Sequence, residues 1–172
     1  LGGVLLGAIR NNDFIPWDWD VEICVYSDEI INKVDDLLSI INNSNFSLMK
    51  YNKELSTFKI DLSGKLSNTV TKYTIMGWIH DKNEAIFFRK TPTHSLKIPD
   101  HFMTNMREIK LFDRLFFAPH PVEDYLTHSY GDWKTPVQTS NKNKYLSKKY
   151  YKINFFRNFT LKFVNIFKKY LK

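Results

Sequence analysis

Residues 1–23 read LGGVLLGAIRNNDFIPWDWDVEI, and three carboxylates, Asp18, Asp20 and Glu22, fall at alternate positions near the end of that run. Alternate side chains of a β-strand share one face, so a strand over residues 17–26 sets three negative charges side by side. Such crowding is unfavourable without a positive partner, and a divalent cation is the usual one. The spacers Trp19, Val21 and Ile23 are strand formers, expected to point the opposite way into a core. A solvated amphipathic strand with idle acids is the plainer alternative. The upstream residues weigh against it: a Gly2-Gly3 turn, Gly7, an apolar helix over 3–11 carrying Arg10 near its end, and Pro16-Trp17 fixing the entry into the strand. Glycines let backbone N–H groups approach phosphate oxygens, and arginine offers a fork of donors to the same oxygens.

Outward from this stretch, the hydrophobic pattern predicts a helix over 27–42, with Ile30, Ile31, Val34, Leu37, Leu38 and Ile41 on one side. Strands are expected at 46–51, 56–62, 71–80 and 84–90, the last two joined as a hairpin around Asp81-Lys82-Asn83. A further single strand is expected at 108–118, and a short helix at 121–130 after Pro121. The pattern is α+β with a mostly antiparallel sheet.

Composition narrows the function classes. With 172 residues, 43% of them hydrophobic and 16% aromatic, the chain can bury a proper core. It has no apolar run of the ~18 residues that a membrane-spanning helix needs. Cys24 is the single cysteine, so an internal disulfide is excluded, and it reads as a small apolar residue. His80, His94, His101, His120 and His128 are scattered, with no zinc spacing and no support for a Ser-His-Asp hydrolase.

Charge divides the chain into residues 1–141 and a tail, 142–172. The tail carries ten Lys or Arg and no acid, so the rest has a net charge of −3 and the tail accounts for the overall +7. Its bases alternate with aromatic and aliphatic residues, as in a helix lying on an anionic membrane surface. Packing against the main domain is the second reading, and nucleic acid ranks third. Because Leu1 stands inside the first motif, the N-terminus is expected to be truncated.

The run Gly2–Arg10 followed by Phe14–Ile23 resembles the signature of the LicD family, which includes bacterial phosphocholine transferases and the fukutin-related enzymes. Residues 118–136, APHPVEDYLTHSYGDWKTP, resemble that family's C-terminal pattern. The resemblance implies a nucleotidyltransferase-like fold of the polymerase-beta superfamily: an α+β domain with a mostly antiparallel sheet and flanking helices, here followed by the basic, helical C-terminal tail. It implies Mg²⁺, with Mn²⁺ as the alternative, held by Asp20 first and by Glu22 and Asp18. It also puts Gly2, Gly3, Arg10, Trp17, Tyr130 and Asp132 on the substrate. A third acid on a neighbouring strand is expected, with Asp61 the candidate and Asp81 its rival; any of these acids would take the acceptor's proton.

The implied reaction moves a phospho-alcohol from a CDP-linked donor, such as CDP-choline or CDP-ribitol, to a hydroxyl of a cell-surface glycan or lipid-linked acceptor. The tail would give peripheral membrane contact. The implied place is the cytoplasmic face of the membrane in a bacterium, or the Golgi lumen in a eukaryote. An Asp-x-Asp glycosyltransferase, a nucleotide-adding transferase and an inactive membrane-associated binding module remain as alternatives.

Overall fold

A computed structural model of the chain describes residues 2–66, 68–88, 94–139, 141, 144–147 and 150–152. Gly2, at φ 76°, turns the chain into α1 (Gly3–Asn11), which ends at the left-handed Asn12, whose N–H donates to the Ala8 carbonyl at 3.0 Å. The Asp13–Trp19 turn leads into β1 (Asp20–Tyr26), and then come α2 (Ser27–Ile30), a 3₁₀ turn at Ile31–Lys33 and α3 (Val34–Asn42). The strands β2 (Ser47–Asn52), β3 (Lys59–Leu66), β4 (Thr69–Asp81), β5 (Glu84–Phe88) and β6 (His94–Pro99) follow. After α4 (His101–Thr104) stand β7 (Met106–Leu111), β8 (Arg114–Pro119), α5 (Val122–Tyr130) and β9 (Tyr150–Lys152).

A seven-stranded sheet runs β2–β3–β4–β5–β6–β9, with β1 added in parallel to β4. Its other pairings are antiparallel, so the α+β, mostly antiparallel expectation matches the molecule. The sheet separates two cores. On one side Val34 and Ile41 of α3 pack against Phe58, Ile60 and Leu62. On the other, Leu5 and Leu6 of α1 meet Trp78, Ile98, Phe102, Tyr125 and Leu126. Period-two alternation therefore sends Ile60 and Leu62 to α3, while Lys59 and Asp61 of β3 face the side of α1 and α5.

Four expectations need correction. The acid strand starts at Asp20 rather than 17, so Asp18 and Trp19 belong to the preceding turn. The spacers do not line a core: Trp19 is 69% exposed and Ile23 50%, and Val25 is the residue of this face that reaches the α3 cluster. The helix over 27–42 is interrupted at Ile31–Lys33, where the β-branched pair Ile30-Ile31 and Asn32 weaken helical propensity. The strand over 108–118 is a separate two-stranded hairpin, β7–β8, turning at Phe112-Asp113. Phe112 sits there at φ 52°, a conformation bulky residues avoid, and its ring packs 5.5 Å from that of Phe14.

The helical tail is corrected at three positions. Tyr150–Lys152 pair with His94–Leu96 as an edge strand, because β6 offers unpaired backbone groups and Tyr-Tyr favours strand. Just before them, the Ser147 N–H donates to the Ser129 carbonyl of α5 at 3.0 Å. Residues 153–172, where most of the membrane expectation falls, lie outside the described residues.

Candidate active site

The face of β1 that carries Asp20, Glu22 and Cys24 opens onto a cavity of about 1130 Å³. The first turn of α1 forms its floor. A Cβ on Gly3 would lie 1.7 Å from Asp18 Oδ2, and one on Gly2 would lie 2.9 Å from Glu22 Oε2. Only glycine at both positions lets these two carboxylates rest on the helix N-terminus, where backbone N–H groups point outward.

Asp18 is held by its turn, its N–H donating to the Ile15 carbonyl at 3.0 Å while its Oδ1 accepts from the Trp19 N–H at 3.1 Å. The residue is exposed overall, but its carboxyl end is tucked against α1. That desolvation raises its pKa, and repulsion from Asp20 and Glu22 adds to the rise against the opposing N–H groups of Trp19 and Asp20. The three acids are thus close enough to feel one another's charge.

Two tyrosines of α5 close the floor from below. Tyr125 is 1% exposed and its phenol bonds to the Gly2 backbone; burial raises its pKa first, and Cys24 and Glu22 contribute. Burial also raises the Tyr130 phenol well above its ordinary range, with Tyr125, Glu22 and Asp18 adding to it. The two motifs about a hundred residues apart therefore meet around the same carboxylates. At the end of α1, Arg10 lines the cavity, and its Nε is buried with no hydrogen-bond partner among the described residues. A buried unpaired donor is costly unless a ligand accepts from it.

The opposite wall comes from β3 and β4. In register, Glu22 of β1 stands beside Thr74 of β4, and Thr74 beside Asp61 of β3, which places the third acid on the same face two strands away. Asp61 is enclosed by cations. Lys59 Nζ donates to it at 2.9 Å and Thr74 Oγ1 at 2.8 Å, and Lys72 Nζ lies 3.5 Å away. Burial pushes the Asp61 carboxyl up, but the bonds from Lys59 and Thr74 and the charges of Lys59 and Lys72 outweigh it, so the pKa is lowered. A carboxylate stabilised in its ionised form is a poor proton acceptor near neutral pH. Its rival Asp81 pairs with Glu84 at the β4–β5 turn and does not line the cavity.

The remaining sequence candidates also line this cavity. Trp17 is 41% exposed at the rim, and Asp132 accepts from Thr135 Oγ1 at 2.8 Å. Lys50, Lys59, Lys72, Thr74 and Tyr51 line it too and are absent from the sequence candidates. No local signal marks them, because their convergence depends on strand register.

Oxygen donors on Asp18, Asp20 and Glu22 suit a hard cation such as Mg²⁺ or Mn²⁺. Among the described residues, no three Asp, Glu, His or Cys side chains close into a ready-made cage.

Residues 1–121 match the family described as LicD/FKTN/FKRP, nucleotidyltransferase domain. A stretch of 31 residues, 18% of this chain, is 52% identical to ribitol 5-phosphate transferase FKRP of Mus musculus and of Homo sapiens. Another comparison, over 34 residues or 20% of this chain, gives 50% identity to lipopolysaccharide cholinephosphotransferase LicD of Haemophilus influenzae. The matched stretches span 6% of the first two relatives and 13% of the third.

Proposed function

We propose that this chain, which belongs to the LicD family of nucleotidyltransferase domains, moves a phospho-alcohol group from a CDP-linked donor to a hydroxyl of a glycan or lipid-linked acceptor and releases CMP. The observation that carries this reading is a single cavity holding three mutually repelling carboxylates, a two-glycine helix N-terminus and a buried, unpartnered arginine Nε. A cation suits the carboxylates, the glycines let two of them stand against α1, and phosphate oxygens suit the arginine.

Asp20, with Glu22 and Asp18, would hold Mg²⁺, or Mn²⁺ in its place; when bound, the ion would neutralise charge on the donor pyrophosphate. Arg10 would donate to a phosphate oxygen and so orient the donor. Gly2 and Gly3 keep side chains out of the space that the Glu22 and Asp18 carboxylates occupy, and so set where those two acids stand. Trp17 and Asp132 would bound the donor at the rim, and Tyr130 would exclude water beneath it. Asp61 would act through its charge, fixing the lysines around it. The part of the tail that follows β9, 153–172, would hold the domain beside a membrane-borne acceptor and so raise its local concentration.

The experiment is to incubate the protein and Mg²⁺ with CDP-ribitol, CDP-choline and UDP-sugars in the presence of glycan acceptors, and to identify products by mass spectrometry. CMP plus a phosphodiester is the expected outcome. A glycoside formed from a UDP-sugar, or a nucleoside monophosphate left on the acceptor, would replace this reading with a glycosyltransferase or a nucleotide-adding enzyme. Turnover of none of these donors would leave a binding module. Within the proposed reaction, Arg10→Ala should raise donor KM or lower kcat by about tenfold or more, since a charge-assisted bond contributes ~1.5–3 kcal/mol. Arg10→Lys should rescue only part of the loss, lacking the fork. Unchanged kinetics would remove Arg10 from the donor site.

A further inference from the structure

Asp61 alone does not account for the lysines around it. Lys50 of β2, Lys59 of β3 and Lys72 of β4 all line the cavity; Asp61 lies among them and Asp20 stands beside Lys72 in register, so two carboxylates among three ammonium groups leave one positive charge in excess, at the Lys50 end. Lys59 and Lys72 already satisfy that carboxylate, at 2.9 Å and 3.5 Å.

Lys50 is there because of an irregularity in the ladder. Leu48 pairs with Leu62, so regular antiparallel pairing would put Met49 opposite Asp61 and turn Lys50 toward the α3 side with Ile60. The register instead skips Met49 and sets Lys50 opposite Asp61. A bulge re-aims a side chain at the cost of a ladder bond. Here it delivers a lysine into the cavity and leaves Met49 67% exposed.

The three lysines also have a direction. Neighbouring strands lie about 4.8 Å apart, so Lys72, Lys59 and Lys50 stand one, two and three strands from the acid strand. This cationic strip runs away from β1 across the sheet, whereas Arg10 belongs to α1, which packs on β1 itself. An anion on Lys50 and Lys59 is therefore set apart from one on Arg10.

We infer that the Lys50–Lys59–Lys72 strip is a second anion subsite, which takes a phosphate or carboxylate group carried by the acceptor. The assignment to the acceptor rests on the transferase reading above; the anion subsite itself does not. Its Lys50–Lys59 end, two to three strands from Asp20 and Glu22, lets a charged acceptor present its hydroxyl to the acid strand while its own anion stays clear of the donor.

Inorganic phosphate titrated into the full chain, followed by amide chemical shifts, tests the subsite without turnover. Shifts are expected along β2, β3 and β4, and Lys50→Gln and Lys72→Gln should each weaken that binding at least fivefold, against less than twofold for Arg10→Ala. Shifts confined to α1 and abolished by Arg10→Ala would overturn the inference. Steady-state kinetics then identify the source of the anion. Lys50→Gln should raise KM for a phosphate-bearing acceptor at least fivefold more than for its neutral counterpart and more than donor KM; a rise falling mainly on donor KM would overturn the acceptor assignment. A chain that binds phosphate on the strip but releases no CMP from any donor would keep the subsite and overturn only the reaction.

Discussion

Asp20→Asn is expected to lower CMP release by about a thousandfold or more while leaving the fold intact. Asp20 is the first residue of β1, is half-buried, and opens onto the cavity between Asp18 and Glu22 in sequence. A metal-held phosphate contributes several kcal/mol of charge stabilisation, and each 1.36 kcal/mol is tenfold in rate. The amide is nearly the same size as the carboxylate, so packing should not suffer. Stability should hold or rise, because Asp20 is one of the charges that raise the pKa of Asp18. A folded-state pKa above its unfolded value makes ionised Asp18 a stability loss that sets in as pH rises through that folded pKa. Removing one repelling neighbour should shrink that loss on the alkaline side and change little at acid pH. Wild-type CMP release by the variant in Mg²⁺ would remove Asp20 from the site; an unfolded variant is excluded by circular dichroism and a melting curve run alongside.

Gly3→Ala should separate activity from stability in a different way. Gly3 is the first residue of α1, with no positive φ that alanine would resist, yet an alanine Cβ would lie 1.7 Å from Asp18 Oδ2. The carboxylate is the free end of a side chain, so it can swing away, by more than 1 Å, without unfolding α1. A displacement of that size at a reacting centre costs about a hundredfold in rate. The expected result is therefore activity down about a hundredfold with a little-changed melting temperature. Full activity in Gly3→Ala would show that Asp18 is not needed where the structure places it. Gly2→Ala is the harsher change, because Gly2 stands at φ 76° and should lose stability as well.

The parts of the fold written in local pattern could be read directly. The first helix ends where expected, the β4–β5 hairpin turns at Lys82-Asn83, and Pro121 precedes α5 by one residue. What failed depended on distant packing. Phe112 carries no turn signal, and the run looks like one strand; the Met106–Leu111 ladder with Arg114–Pro119 makes it a hairpin, with Phe112 packed on Phe14. Trp19 has strong strand preference but belongs to a turn, because Asp18 is drawn onto α1 ahead of it. The candidate site divides along the same line. Alternation puts Asp20 and Glu22 on one face, and the glycines beside them signal close approach. The lysines and Thr74 do not show, since their shared face is set by the pairing of four strands and by a skipped residue at Met49.

The way β1 joins the sheet bears on how the molecule is made. Its ladder partner is β4, and the parallel register ties Asp20 to Lys72 and Tyr26 to Trp78. β1 therefore waits for a strand made after it, with α2, α3, β2 and β3 synthesised in between. Closing so long a loop carries an entropic penalty, and non-local pairing slows folding. Nascent chains stopped before residue 78 would hold all three acids of the first motif but lack the full strand that aligns them. The acid face can therefore form only after β4 has been made, roughly fifty residues downstream of β1.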